Sequence, residues 1–206
     1  SSKPTTLYRK RHPYARWEIT LDFLKNRGYN GDKHQRKGEN MVCFTEMDSP
    51  VGMLLLCAEE KTLTGVWMNR TPLPQWCRDD GHPVLQETKK WLDAYFRGEE
   101  SSLDIPLNPS GTPFQQAVWE ILRTIPPGQT RTYGSIAREM AQLTGKEKMS
   151  AQAIGQAVGA NPISILIPCH RVVGAQGGLT GYAGGLEKKI WLLKHEGWTI
   201  RKNKIR

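Results

Sequence analysis

Cys169 and His170 stand side by side in the segment Ile-Pro-Cys-His-Arg-Val, residues 167–172. The apolar run 163–167 predicts a buried strand, and Pro168 should end it because proline cannot donate a ladder hydrogen bond. This places a thiol at a strand end with an ionisable imidazole beside it. Such a thiol is either an inert core residue or a nucleophile whose reactivity depends on a neighbouring base.

The side chains of adjacent residues point to opposite faces of an extended backbone. Cys169 and His170 therefore work together only if the chain turns at this point or if a water carries the proton between them. A histidine that acts as a base also needs a group to orient it, and Glu196 is the candidate, at the end of the last predicted helix. The alternative is three unrelated residues: a buried structural thiol, a capping histidine and a carboxylate at a helix end.

The composition limits the classes of protein to be considered. The 206 residues suit one large domain or two small ones, and the net charge is +9. So basic a chain is attracted to polyanions, to nucleic acid first and to an acidic membrane surface second, unless the charge serves only solubility. We expect no membrane span, because no apolar stretch approaches the roughly 18 residues that a bilayer requires. We also expect no secretory signal, because the sequence does not open with a charged region, an apolar region and a cleavage site.

The cysteines carry information about compartment and metal binding. The four of them form neither a regular disulfide framework nor a C-x-x-C pair, which predicts reduced thiols in the cytoplasm or, in a eukaryote, the nucleus. No pair of cysteine and histidine has zinc spacing, so we expect no metal.

Three segments differ in character along the chain. We expect a basic extension of uncertain order at residues 1–40 and a small α/β domain at 41–108. Residues 109–206 should form a C-terminal domain that binds DNA and carries the active site. The second segment predicts an antiparallel meander followed by an amphipathic helix that begins at a proline. These elements are expected at 41–47, 51–58, 63–68 and 83–97.

The third segment is mostly helical. Helices are expected at 114–125, 135–143, 150–158 and 186–195, and the middle two form a helix-turn-helix candidate. The helix at 150–158, with Ser150 as its expected N-cap, is unusually rich in alanine and glycine. Such a surface permits close approach to a nucleic-acid groove or close packing against another helix. The fold class is therefore α/β (α+β): a small antiparallel sheet with a helix, followed by a mostly helical, winged-helix-like domain.

Several motifs together resemble the O6-alkylguanine-DNA alkyltransferase family, the methylated-DNA–protein-cysteine methyltransferases. The similarity covers roughly residues 41–198, is dense after residue 111, and agrees with the two domains predicted above. The segments that carry it are Asn161-Pro162, residues 165–172, Gly181-Tyr182-Ala183-Gly184-Gly185, residues 191–197, Thr112 through Trp119, and residues 126–133.

The resemblance implies an irreversible reaction on double-stranded DNA that contains O6-alkylguanine, with O4-alkylthymine open as a second substrate. The damaged base is rotated out of the duplex into a pocket, and the Cys169 thiolate takes the alkyl group. The product is a thioether, so the protein is consumed in one turnover. No cofactor is implied, and we expect a monomer that binds no membrane.

The resemblance also implies roles for the residues near Cys169. His170 would act as the base through a water, Glu196 would hold His170, and Tyr133 would donate a proton or hydrogen bond to the departing guanine. Asn161 would brace the turn before the predicted active-site strand.

The implied substrate pocket is built from both side chains and backbone groups. The carbonyls of Cys169 and Val172 would read the exocyclic amine of the guanine, and the amide of Ala183 would face O6. The pocket residues are Val158, Ser164, Val172, Tyr182 and Ala183.

The helix at 150–158 would enter the minor groove, and two lysines before it would contact phosphate. Relatives usually carry an arginine that fills the gap left by the flipped base, and Gln152 stands at that position. Glutamine fills space and forms hydrogen bonds, but it lacks the charge and planar fork of arginine. The implied DNA-binding residues are Ser150, Ala151, Gln152, Ala153, Gly155, Lys146 and Lys148.

Three other readings remain open. The chain could be a recognition module that binds alkylated bases without repairing them, although such relatives lack the cysteine found at Cys169. It could be a regulator switched by alkylation, which normally requires a further metal-bound domain. An unrelated thiol hydrolase would turn over small esters or peptides and would have no affinity for DNA.

Overall fold

The structure is a computed structural model that describes residues 41–99 and 102–206. The predicted basic extension, 1–40, lies outside the described residues. The mixed α/β fold class predicted from the sequence is confirmed. We refer to the sheet with its helix as the sheet region and to the elements after residue 112 as the helical region.

The sheet region contains a four-stranded sheet in the order β3-β2-β1-β4. The predicted antiparallel meander forms, but β2 begins three residues later than expected because Val51 and Gly52 complete the turn. A short fourth strand, which the sequence did not indicate, pairs parallel to β1. The strands are β1 (Cys43–Met47), β2 (Leu54–Glu59), β3 (Thr62–Met68) and β4 (Cys77–Arg78).

Helix α1 (Pro83–Phe96) packs on one face of this sheet, as predicted. Pro83 fits its first position because the missing N–H would have no partner in the helix there. The buried face of α1 ends at Tyr95, beside the helical region. The end of the sheet region therefore reaches the part of the protein that contains Cys169.

Three helices follow, each with a side-chain N-cap. Thr112 forms a capping box with Gln115 at α2 (Pro113–Arg123), and Thr132 caps α3 (Tyr133–Leu143). Ser150 caps α4 (Ala151–Gly159), as predicted. The pair α3 and α4 forms the expected helix-turn-helix, and α3 begins two residues earlier than predicted.

The expected strand at 163–167 is wrong. This segment forms a compact loop, in which the Ile167 amide donates to the Ile163 carbonyl at 3.0 Å and Ile165 has a φ of +70°. Only single bridges remain, including one between Ile163 and Val66 of β3. The run is apolar because the loop is buried, and burial alone does not distinguish a loop from a strand.

The chain then turns through a 3₁₀ segment, Cys169–Arg171, into β6 (Val172–Val173). Strand β6 pairs parallel to the short β5 (Arg131–Thr132), and a second 3₁₀ turn follows at Ala175–Gly177. Helix α5 (Leu186–His195) has the predicted bounds. A small unpredicted hairpin, β7 (Ile200–Arg201) and β8 (Lys204–Ile205), ends the described chain.

One large apolar core runs through both regions, from the sheet and α1 to helices α2, α3 and α4. Trp119 lies within it, fully buried, and its indole Nε1 donates to the Ala157 carbonyl at 2.8 Å. This bond ties α2 to α4. Among the described residues, none of the helices combines the length and apolar character needed to cross a bilayer.

We expect Trp119→Phe to lower the free energy of unfolding by about 2–3 kcal/mol, through a lost hydrogen bond and a void in the core. The control is Trp91→Phe, because the Trp91 indole N–H is buried without a partner among the described residues. The free energy of unfolding of that variant should fall by about 1 kcal/mol or less. Urea unfolding measures both, and equal losses would contradict the importance of the bond between α2 and α4.

Candidate active site

An open cavity of about 800 Å³ lies between α3, α4 and the loop after β6. Cys169 forms part of its wall, with the Tyr133 ring at the start of α3 and the Tyr182 ring in the loop. The lining residues are Tyr133, Gly134, Ala151, Gln152, Gly155, Gln156, Val158, Gly159, Cys169, Gly174, Ala175, Thr180, Gly181, Tyr182 and Ala183.

Cys169 begins the 3₁₀ turn and is 3% exposed. Burial raises the pKa of its thiol, while hydrogen bonding by Asn161 and the charge of Lys189 act in the opposite direction. The amide Nδ2 of Asn161 lies 3.1 Å from Sγ and also donates to the Ile167 carbonyl at 2.8 Å. Asn161 therefore braces the loop and offers a donor to the sulfur.

His170 is fully buried directly behind the thiol-bearing turn. Its Nε2 donates to Oε1 of Glu196 at 2.8 Å, because a carboxylate oxygen only accepts. Its Nδ1 is buried with no partner among the described residues. Burial lowers the pKa of His170, although the Glu196 carboxylate opposes this shift. The imidazole is thus neutral at neutral pH, with one basic nitrogen uncommitted.

Glu196 caps the end of α5 and accepts from three side chains. Arg171 donates from Nη2 to Oε1 at 2.8 Å and from Nε to Oε2 at 3.0 Å, and the Tyr95 hydroxyl donates to Oε1 at 2.8 Å. Burial raises the pKa of the Glu196 carboxyl, but the charges and hydrogen bonds of His170 and Arg171 outweigh it and hold the pKa well below its ordinary value. The group remains a carboxylate and orients His170.

Lys189 is a buried cation that the sequence analysis did not consider. Its Nζ donates to the carbonyls of Val172, at 2.6 Å, and Thr180, at 3.3 Å, and lies 6.0 Å from the centre of the Tyr133 ring. Burial lowers its pKa to about 8, and Cys169 opposes this shift. The lysine joins the wall after the active-site turn to the loop on the other side of the cavity.

The predicted pocket residues divide into two groups. Val158, Tyr182 and Ala183 line the cavity, as expected. The side chains of Ser164 and Val172 do not: both are buried behind the wall, Ser164 in the compact loop and Val172 in β6. The role implied for Val172 uses its backbone carbonyl, so the burial of its side chain does not bear on that role, whereas Ser164 lies in the folded loop that replaces the expected strand.

The predicted DNA-binding residues lie in α4 and in the turn before it. Ala151, Gln152 and Gly155 line the cavity, whereas Ala153 is half-buried away from it. Ser150, Lys146 and Lys148 are exposed in the turn before α4.

The glycines of α4 do not serve close helix packing. A Cβ added at Gly155 would meet only the Tyr133 ring, at an ordinary 3.9 Å, and one at Gly159 would meet nothing within 4 Å. Gly159 therefore faces open space, and Gly155 lies against Tyr133 of α3 in the cavity wall. Close helix packing therefore does not require a glycine at either position, whereas Ala157 of the same helix is buried and its carbonyl accepts from Trp119 of α2.

Three residues around the thiol were missed by the sequence analysis: Tyr95, Arg171 and Lys189. Arg171 belongs to the quoted motif but received no role. Lys189 had a detectable signal, since it occupies the apolar face of α5 between Leu186 and Leu193 at helical spacing. Tyr95 had none, because its partner is 101 residues away in the chain.

These features define a mixed α/β protein that presents a buried thiol beside a helix-turn-helix. Two family models match it. The 6-O-methylguanine DNA methyltransferase DNA binding domain matches residues 113–198, and the ribonuclease-like domain of that methyltransferase matches residues 42–109.

The chain is also similar to proteins named methylated-DNA–protein-cysteine methyltransferase. It is 42% identical over 157 residues to that of Haemophilus influenzae, covering 74% of this chain and 85% of the relative. It is 44% identical over 159 residues to that of Methanosarcina acetivorans, covering 75% and 97%.

Solved structures give the same result. The crystal structure of Mycobacterium tuberculosis O6-methylguanine methyltransferase is 44% identical with a TM-score of 0.66, over 76% of this chain and 93% of that one. The structure of Mycobacterium tuberculosis OGT in complex with DNA is 43% identical with a TM-score of 0.67, over 75% and 92%. The chain belongs to the 6-O-methylguanine DNA methyltransferase family.

The buried Lys189 generates a prediction about stability and pH. Its pKa is about 8 in the folded protein and 10.5 in an unpaired lysine, so between these values the unfolded chain binds more protons and stability rises with pH. As the pH rises from about 8 to about 10, the free energy of unfolding of the native protein should increase by about 1–2 kcal/mol relative to that of Lys189→Met. Urea unfolding across this range measures the difference.

The control is Lys188→Met, which removes the preceding lysine, whose ammonium lies at the surface against Asn69. The free energy of unfolding of this control should differ from that of the native protein by the same amount at every pH in this range. A Lys189→Met difference that is equally flat would show that Lys189 keeps its proton in the folded state.

Proposed function

We propose that this protein repairs double-stranded DNA by direct reversal, transferring the alkyl group of O6-alkylguanine to Cys169 in one irreversible turnover. The observation that carries the proposal is a thiol in the wall of an open cavity, with an uncommitted imidazole nitrogen behind it and a helix-turn-helix at its rim. At about 800 Å³ the cavity is of the size that holds small molecules, which suits a flipped base.

The proton path begins at the thiol. A water between Sγ and Nδ1 of His170 would carry the thiol proton to the imidazole, since Nδ1 has no protein partner among the described residues. Glu196 would stabilise the imidazolium by accepting from Nε2. Because burial opposes the thiolate, the proton would leave only as the reaction proceeds, with the Asn161 amide donating to the developing charge.

The transfer itself forms one bond and breaks one. Sulfur attacks the alkyl carbon, the S–C bond forms, and the bond from that carbon to O6 breaks with its electron pair on the guanine. The Tyr133 hydroxyl would protonate the departing base, and the imidazolium would return the thiol proton through solvent to the tyrosine. The carbonyls of Cys169 and Val172 would accept hydrogen bonds from the guanine amine. Each already accepts one bond, Cys169 from the Val172 amide and Val172 from Lys189 Nζ. A carbonyl oxygen has two lone pairs, so each can accept a second bond.

Recognition of DNA would use α4 in the minor groove, with Gln152 in the space left by the flipped base. The open space beside Gly159 supports a close approach of the duplex, and the net charge of +9 supports attraction to phosphate. Lys146 and Lys148 in the preceding turn would add two phosphate contacts.

We also propose the division of the chain into a small α/β domain, 41–108, and a DNA-binding domain, 109–206, a boundary close to that between the two family-model matches. The cytoplasm, or the nucleus of a eukaryote, is the proposed compartment, supported by four cysteines that are all unpaired. A recognition module without transfer is the weaker alternative, because a thiol in the cavity wall would then be unused.

The direct test is incubation with a duplex that contains one O6-methylguanine. We expect one equivalent of methyl group on Cys169, located by mass spectrometry of the digested protein, and no second turnover. Cys169→Ser should bind the duplex with similar affinity and transfer nothing. Turnover beyond one equivalent would favour a hydrolase, and binding without modification would favour the recognition module.

A second test concerns the unusual residue at the rim. We expect Gln152→Arg to bind the lesion duplex about three- to tenfold more tightly, because a charged donor forms stronger hydrogen bonds, with the rate of the bound complex unchanged. The control, Gln142→Arg, adds the same charge on α3 outside the cavity and should raise affinity equally for damaged and undamaged duplex. Fluorescence anisotropy measures the affinity for both duplexes. If Gln152→Arg raised the affinity equally for damaged and undamaged duplex, Gln152 would not occupy the space left by the flipped base.

A further inference from the structure

Tyr95 lies at the end of α1 in the sheet region, yet its hydroxyl contacts the group that holds His170. The hydroxyl donates to Oε1 of Glu196 at 2.8 Å, and the residue is 8% exposed. Burial and the neighbouring Glu196 raise the pKa of Tyr95 well above its ordinary value. The hydroxyl is therefore a donor throughout the working pH range, and it never becomes a second negative charge beside the carboxylate.

The same carboxylate oxygen serves both Tyr95 and His170. The Nε2 of His170 reaches Oε1 at 2.8 Å, and Nη2 of Arg171 reaches it at 2.8 Å. Each donor withdraws part of the negative charge from that oxygen. A hydroxyl at this position therefore weakens the attraction between Oε1 and a protonated His170, without removing the bond that orients the ring.

Tyr95 has little freedom to move away from this oxygen. Its ring stacks on Trp91, with centroids 5.7 Å apart, and meets Phe96 edge-on at 5.4 Å. Its carbonyl accepts from Nε2 of His195, on α5, at 2.6 Å. Helices α1 and α5 are thereby locked together one residue before Glu196.

We propose that Tyr95 is a positioning residue of the proton relay, which sets how strongly Glu196 holds the imidazolium form of His170 during alkyl transfer. The inference rests on the proposed function and extends it, because the sheet region then supplies a member of the relay. The charged and titratable groups that face His170 are Glu196 and Lys189 from α5, Arg171 and Cys169 from the 3₁₀ turn, and Tyr95, through Glu196, from α1.

Tyr95→Phe isolates the hydroxyl, since it keeps the ring and its packing. The space left by one oxygen atom is too small for a water to enter without repacking, so Glu196 should lose one donor and keep His170 and Arg171. The pKa of His170 should then rise, because a more negative Oε1 favours the protonated ring. Transfer needs the neutral ring as base, so the rate should fall at a higher pH than in the native protein.

The experiment is the rate of methyl transfer from an O6-methylguanine duplex, measured in single turnover across pH, for the full chain and its variants. We expect the acid-side midpoint of Tyr95→Phe to move upward by about 0.5 to 1 pH unit, with the rate at high pH within about threefold of the native rate. NMR titration of the His170 ring should show the same shift. Phe96→Leu, which disturbs the same aromatic cluster without touching Glu196, should lower thermal stability and leave the midpoint unchanged.

An unchanged midpoint in Tyr95→Phe would overturn the inference, whether or not that variant is less stable. A shift of equal size in Phe96→Leu would also overturn it, because packing and not the hydroxyl would then be responsible. Failure of the native protein to transfer the methyl group is a separate result, which would reject the proposed function. The His170 titration, which needs no substrate, would still decide the role of Tyr95.

Discussion

A single buried carboxylate, Glu196, determines the arrangement of the whole site. It holds His170, Arg171 and Tyr95, which come from the active-site turn and from the far end of the sheet region. Buried ion pairs add little net stability, but removing one partner costs about 3–5 kcal/mol because the other charge is left uncompensated. The network links α1, the 3₁₀ turn and α5 through one carboxylate.

This placement explains how the thiol is both protected and usable. Burial raises the pKa of Cys169 and lowers that of His170, so the pair rests as a neutral thiol and a neutral imidazole. A neutral thiol reacts slowly with stray electrophiles, which suits a protein consumed by each transfer. In the proposed mechanism, Asn161, Lys189 and Glu196 would stabilise the charges that appear when the proton moves, with little reorganisation.

The elements with strong local signals were predictable from the sequence. Helix α5 has the expected bounds, and Ser150 caps α4, because side-chain spacing and capping chemistry act within a few residues. The loop at 163–167 was not predictable. Its apolar run looks the same in a strand or a buried loop, and its backbone groups are satisfied partly by the Asn161 side chain. The same loop buries the side chain of Ser164 behind the cavity wall, which the apolar pattern did not indicate either.

Residue types and motifs were enough to identify the family, which the family models confirm. They also nominated Cys169, His170, Glu196 and Tyr133 as the proposed reacting groups. Which atoms of these residues meet depends on the tertiary fold. It showed that Nδ1 of His170 stays uncommitted, that a lysine lies buried beneath the cavity, and that Tyr95 reaches Glu196 from another region. Contacts between residues about a hundred positions apart depend on how whole helices pack, and local residue patterns carry no record of that packing.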